Sequence, residues 1–185
     1  MRVIAGTAKG HRLETIEGLA TRPTTDRIKE TLFNIIAFDL PDCRFLDVFS
    51  GSGAIGIEAL SRGAKEAVFV EHAPECQEVI VRNLEHTRLK ERGRLLKEDV
   101  LSALNRLGGE KLSFDLIYLD PPYEEGLAKP TLEAILKNGL LTKEGYIILE
   151  RGAKQPLELP EGYTILREKE YRTTVLTFLC LEEEI

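Results

Sequence analysis

Four consecutive residues, Asp120-Pro121-Pro122-Tyr123, close the apolar run Phe114-Asp115-Leu116-Ile117-Tyr118-Leu119. Each proline fixes its backbone φ and lacks an N–H donor. The carbonyls of Asp120 and Pro121, with the Asp120 carboxylate, therefore form a surface that only accepts hydrogen bonds. Such a surface suits an aromatic base amine, a poor nucleophile because its lone pair is delocalised into the ring. Acceptors holding both amine protons favour a more tetrahedral nitrogen, with the lone pair aimed at an incoming methyl group. The proton can leave with, or after, formation of the C–N bond, so Asp120 need not remove it first. Tyr123 is expected to stack on an extruded base, worth about 1–3 kcal/mol by analogy with single-strand stacking. Asp-Pro also occurs in plain turns. The position of this one, after a buried strand and two strands beyond a glycine loop, favours chemistry.

The glycine loop, Gly51-Ser52-Gly53-Ala54-Ile55-Gly56, follows the strand-like Phe45–Phe49 and opens a helix expected over Gly53–Arg62. Glycines at these spacings permit a tight turn and close approach of a nucleoside cofactor to the backbone. A capping turn without a ligand is the alternative. Glu71 ends the next strand, 20 residues after Gly51, where a carboxylate can accept hydrogen bonds from ribose hydroxyls. A nicotinamide dinucleotide fits the glycines and Glu71 equally well. Asp47 points elsewhere, because a carboxylate inside a strand is costly without a purpose. It can accept hydrogen bonds from the loop backbone, or attract the ammonium and sulfonium charges of S-adenosylmethionine. Asp99, at the end of the third strand, can meet the adenine amine or simply cap the next helix. Phe49, Ser52 and Val100 complete the expected cofactor contacts. The tetrad decides for S-adenosylmethionine.

These residues need a frame. From residue 44 strands and helices alternate: strands at Ala67–Glu71, Arg94–Lys97, Phe114–Leu119 and Tyr146–Leu149, with helices from Pro74, over Val100–Leu107 and within Thr131–Lys137. Such alternation predicts a mostly parallel sheet covered by helices on both faces. Tyr163–Arg167 and Thr174–Leu181, with no helix between them, read as an antiparallel hairpin at one edge. Ligands of such sheets bind outside the carboxyl ends of the strands, so the tetrad and the glycine loop are expected to face one crevice. Residues 1–40 differ in texture. Val3–Gly6 and His11–Leu13 can pair across a glycine-containing turn. Thr25 is placed to cap a helix whose apolar face is Ile28, Leu32, Ile35 and Ile36, ended by Pro41-Asp42. The expected division is an extension, 1–40, and a catalytic domain, 41–185.

At 185 residues the chain can build a core without staples. Cys43, Cys76 and Cys180 suggest neither a disulfide framework nor a metal site, and His11, His72 and His86 lack ligand spacing. No apolar window is long enough for a membrane span, and no secretory signal opens the chain. A cytoplasmic protein is expected. The net charge of −6 argues against a polyanionic partner, yet six basic residues face four acidic ones in the first 30. The extension therefore carries a positive balance.

The whole pattern resembles class I S-adenosylmethionine-dependent methyltransferases that act on amines. It is most similar to the bacterial 16S ribosomal RNA guanine-N2 methyltransferases, the RsmD family. The likeness runs through Arg2-Val3-Ile4-Ala5-Gly6, Arg22-Pro23-Thr24-Thr25-Asp26-Arg27 and Lys29-Glu30-Thr31-Leu32-Phe33-Asn34. It continues through Leu46–Gly53, Phe69-Val70-Glu71 and Asp120–Tyr123. The resemblance implies a Rossmann-like α/β fold with seven strands and transfer of one methyl to the N2 amine of a guanine. The implied partner is 16S ribosomal RNA, free or within an assembling small subunit; a monomer is expected. It suggests that the N-terminal hairpin and the Arg22–Arg27 segment hold RNA, through Arg2, Lys9, Arg12, Arg22, Thr24 and Arg27. Arg27 can instead pair with a neighbouring carboxylate. Tyr171-Arg172-Thr173 departs from the family's Tyr-Gly step. Adenine-N6 methylation, protein glutamine methylation, a nicotinamide oxidoreductase and an inactive cofactor-binding scaffold are the competing readings.

Overall fold

The computed structural model describes residues 1–16, 26–122 and 126–183. The expectations for Arg22, Thr24, Thr25 and Tyr123 lie outside the described residues. Strands β1 (Arg44–Val48), β2 (Glu66–Val70), β3 (Gly93–Leu96), β4 (Phe114–Leu119), β5 (Leu141–Gly152), β6 (Tyr163–Tyr171) and β7 (Thr174–Leu181) form one seven-stranded sheet. Its order is β3-β2-β1-β4-β5-β7-β6. The helices are α1 (Asp26–Ile35), α2 (Ala54–Ser61), α3 (Pro74–His86), α4 (Val100–Gly109) and α5 (Ala128–Lys137). This is the mostly parallel α/β sheet expected from the alternation, with the seven strands and Rossmann-like fold that the resemblance implies. Two compact units divide the chain, Met1–Glu98 and Asp99–Ile185.

In the first unit β1, β2 and β3 run parallel, with Asp47 beside Phe69 and Phe69 beside Leu95. Parallel strands buried on both faces read as near-continuous apolar runs, and Phe45, Leu46, Val48, Val68, Phe69 and Val70 are all buried. Helix α2 is buried over all eight residues, as an apolar helix must be. The N-terminal pairing is brief: one antiparallel bridge, Arg2 to Arg12, closed by hydrogen bonds from Val3 N to His11 O and from Leu13 N to Met1 O, each 2.9 Å.

Helix α1 differs from the expected face. Lys29, Leu32 and Phe33 are its buried residues, with Ile36 buried just beyond it, whereas Ile28 and Ile35 are half-buried. The inner stripe is thus rotated by about one position. It admits a charged residue because a buried carboxylate waits there.

In the second unit β4 and β5 are parallel, β7 lies antiparallel between β5 and β6, and β6 forms the edge. The expected terminal hairpin is present, longer than its apolar residues suggest. Arg172 and Thr173 form its turn without a positive φ, so the turn geometry does not call for glycine. Strand β5 is also longer than Tyr146–Leu149, with a register shift against β4 between Phe114 and Leu116. At Gly145 a Cβ would lie 2.6 Å from the Asp115 carbonyl oxygen, so strand β4 leaves no room for a side chain there. Among the described residues, no helix is long and apolar enough to cross a membrane.

Candidate active site

In the first unit, the end of β1 turns sharply into α2. Phe49 has φ +62°, a conformation that bulky residues rarely adopt and that concentrates at functional turns. Gly53 caps α2 at φ +79°, where a glycine is free of the Cβ penalty. Ser50 staples the turn to β2. Its hydroxyl donates to the Asp47 carbonyl at 2.6 Å and accepts from Val70 N at 3.1 Å. At Gly56 a Cβ would stand 2.3 Å from Phe69 Cε1, so the third glycine lets the helix lie against the strand.

Two carboxylates organise the loop. Asp47, 1% exposed, accepts from Gly56 N at 3.0 Å. Burial drives its carboxyl well above the ordinary carboxylate range; the Gly56 hydrogen bond opposes this and nearby Glu71 adds to it. A buried acid poised this way gains from an approaching cation, as the ammonium and sulfonium of S-adenosylmethionine would be. Glu71, 8% exposed, accepts from Gly51 N at 2.8 Å and from Ala73 N at 2.9 Å. Its carbonyl receives Gln77 Nε2 at 2.9 Å. Gly51 and Ser52 are half-buried, so the turn is reachable from outside. The donor set, two carboxylates and a glycine-rich helix start, fits a cationic nucleoside cofactor.

In the second unit, Asp99 is exposed and caps α4, with Oδ1 accepting from Ser102 N at 3.1 Å. Its hydrogen bonds from Ser102 hold the carboxyl below its ordinary range. The capping role foreseen for Asp99 is therefore real, and Val100 beside it is half-buried. Strand β4 is buried almost throughout and delivers Asp120 half-buried, Pro121 buried and Pro122 exposed. Just before the tetrad, the buried Tyr118 hydroxyl donates to buried Glu150 Oε2 on β5.

Arg2, Lys9, Arg12 and Arg27 are all exposed. Arg2, Lys9 and Arg12 form no ion pair among the described residues. Among those residues no three His, Cys, Asp or Glu side chains gather as metal ligands.

Three residues were not foreseen. Asn83, 1% exposed on α3, donates to Ser52 O at 2.9 Å and to Glu14 O at 3.1 Å, and accepts from Glu14 N at 2.8 Å. It joins the glycine loop to the N-terminal segment. Its signal is an amide inside the apolar stripe Val79, Ile80, Leu84. Glu58, an acid within an otherwise apolar helix, pairs with buried Lys29 at 3.4 Å and with Arg62 at 2.9 Å. Lys29 betrays itself by sharing helical spacing with Leu32, Phe33 and Ile36.

Residues 1–180 match the model of the family described as "Conserved hypothetical protein 95". The chain is similar to "Putative rRNA methyltransferase YlbH" of Bacillus subtilis, 38% identical over 172 residues, 92% of each chain. It is 34% identical to "Ribosomal RNA small subunit methyltransferase D" of Haemophilus influenzae, over 91% of this chain and 88% of that one. Among solved structures, "Putative methyltransferase yhhF from Escherichia coli" superposes with a TM-score of 0.85 at 33% identity, covering 100% of this chain and 99% of that one. The chain belongs to the conserved hypothetical protein 95 family, the RsmD-type methyltransferases.

Proposed function

We propose that this protein transfers one methyl group from S-adenosylmethionine to the exocyclic N2 amine of a guanine in 16S ribosomal RNA. The observation that carries the reading is the acceptor surface at the carboxyl end of β4: half-buried Asp120 followed by buried Pro121 and exposed Pro122. The family relationship gives the substrate class, since its relatives bear ribosomal RNA methyltransferase names.

S-adenosylmethionine supplies an electrophilic methyl group on a positively charged sulfur. Asp47 faces the cationic end of the donor, Glu71 the ribose, and Phe49, Gly51, Ser52 and Gly53 the backbone-lined cradle. Asp99 and Val100 serve the adenine. The Asp120 carboxylate and the Asp120 and Pro121 carbonyls accept the two protons of the guanine amine and turn its lone pair toward the methyl group. Tyr123 stacks on the base and Pro122 keeps the turn rigid. The C–N bond forms as the C–S bond breaks, S-adenosylhomocysteine leaves, and the surplus amine proton passes through Asp120 to water. Preorganised groups of this kind lower the barrier by about 2.7–4 kcal/mol each.

RNA is held by Arg2, Lys9, Arg12, Arg22, Thr24 and Arg27. The bridge between Arg2 and Arg12 supports this reading. Like charges directly opposite across strands repel, and a phosphate between them turns that repulsion into binding.

The test is transfer of labelled methyl groups to unmethylated 16S RNA, to partly assembled small subunits and to duplex DNA. Label in either RNA substrate and none in DNA is expected. Label in DNA alone, or a protein that binds the cofactor and labels none of the three, contradicts the proposal.

A further inference from the structure

Lys29 and Glu58 are both fully buried, and their ends approach to 3.4 Å. Glu58 Oε2 accepts from Ile4 N at 3.0 Å, and Oε1 accepts from Ala5 N at 3.1 Å and from Arg62 Nε at 2.9 Å. Lys29 Nζ donates to the Arg2 carbonyl at 2.7 Å. The pair therefore grips the backbone of residues 2–5 from both sides. Ser61 adds a second fastening, donating to Ala5 O at 2.6 Å and accepting from Ala8 N at 2.9 Å. At Gly6 a Cβ would fall 1.8 Å from Ser61 O, so the turn lies directly on the last turn of α2.

Stability alone does not explain this pair. Taking two charges out of water costs several kcal/mol per ion, and well-packed apolar residues often do as well. Burial pulls the Lys29 amine below its ordinary range, while Glu58 and Asp26 push the other way. In some proteins a buried pair of this kind fixes a geometry that apolar packing would leave free.

What it fixes is the Arg2–Arg12 bridge. The hydrogen bonds flanking that bridge run from Val3 N to His11 O and from Leu13 N to Met1 O. Arg2 and Arg12 are therefore a non-hydrogen-bonded pair, the arrangement that brings facing side chains closest, with Cα atoms about 4.5 Å apart. Two exposed guanidinium groups start from one spot on one face, and neither has an ion-pair partner among the described residues.

We propose that Arg2 and Arg12 clamp a single RNA phosphate, and that Lys29 and Glu58 are positioning residues which hold the clamp on the helix that starts at the glycine loop. This rests on the RNA-methyltransferase reading above. Because the clamp and the glycine loop are fastened to the two ends of α2, the clamp sets where the RNA strand lies relative to the methyl donor.

The test measures dissociation constants for a 16S RNA transcript and for S-adenosylhomocysteine in the wild type, Lys29→Met and Glu58→Gln. RNA binding is followed from 50 to 200 mM salt, with Tm recorded for each protein. The two substitutions change the buried charge in opposite directions. A field effect would move RNA affinity in opposite directions, whereas loss of positioning weakens it in both. Both variants are expected to bind RNA about tenfold more weakly, with a salt slope smaller by about 0.7–0.9, the loss of one phosphate contact. Cofactor affinity should stay within about twofold, because no cofactor contact is touched. A lower Tm with unchanged RNA affinity and salt slope overturns the proposal. Should either buried variant fail to fold, Arg2→Ala, Arg12→Ala and the double variant decide at the surface. Each single change should remove most of what the double removes; additive losses mean separate contacts and overturn the clamp. A wild-type protein that binds no RNA defeats the underlying reading itself.

Discussion

Glu71 Oε2 accepts a hydrogen bond from Gly51 N at 2.8 Å, tying the end of β2 to the loop that follows β1. The other oxygen holds Ala73 N at 2.9 Å. A single carboxylate thus shapes the loop, and its Oε1 also lies 3.6 Å from His72 Nδ1. Glu71→Ala should weaken S-adenosylhomocysteine binding by about 10- to 100-fold, on the scale of a hydrogen bond to a charged group. RNA affinity should be unchanged. Calorimetric titration of each ligand checks the split, and equal losses for both ligands would refute the assignment.

Asp47 makes a prediction about pH. Burial raises its carboxyl pKa in the folded protein, so the native state binds a proton that the unfolded chain has released. Its contribution is fully present below the ordinary aspartate value of about 3.9 and is lost as pH rises through the folded value. Asn in its place cannot ionise. Asp47→Asn should therefore raise Tm at pH 8, and the gain should shrink as pH falls toward 4. The same variant should bind the cationic cofactor about tenfold more weakly or worse. Scanning calorimetry across pH decides, and a variant less stable than wild type at pH 8 contradicts the argument.

Gly56 offers a packing test. With Phe69 Cε1 only 2.3 Å from where a Cβ would stand, Gly56→Ala must push α2 off β2. A loss of about 1–3 kcal/mol is expected, the usual scale of overpacking. Adding Phe69→Leu makes room, so the double variant should be more stable than the sum of the single changes. Strictly additive losses in denaturant titrations would show that the contact is not what fixes the helix.

Much of this was legible in the sequence because the signals are local. The strand, glycine loop, helix and second acid of residues 45–71 follow one another at fixed spacing, and the structure reproduces them in order. Asp99 stood between two roles, and its capping bond to Ser102 is now seen. What stayed hidden depends on partners distant in the chain. Lys29 shares the spacing of an apolar face, but nothing local explains a buried charge there until Glu58, within another helix, is found beside it. Asn83 meets Glu14 across 69 positions. Strand β6 is exposed along most of its length, so no apolar alternation announced it beyond Arg167. The polar start of β5 is strand because of its pairing with β4, not because of its own residues.

The decisive measurement is nucleoside analysis of 16S RNA after reaction with labelled S-adenosylmethionine, for wild type and Asp120→Ala side by side. The wild type should place its label in N2-methylguanosine. Asp120→Ala should do so about 10²–10³ times more slowly, the loss expected for one preorganised group, while binding the cofactor normally. Label in N6-methyladenosine, or an Asp120→Ala enzyme that turns over at the wild-type rate, would contradict the account.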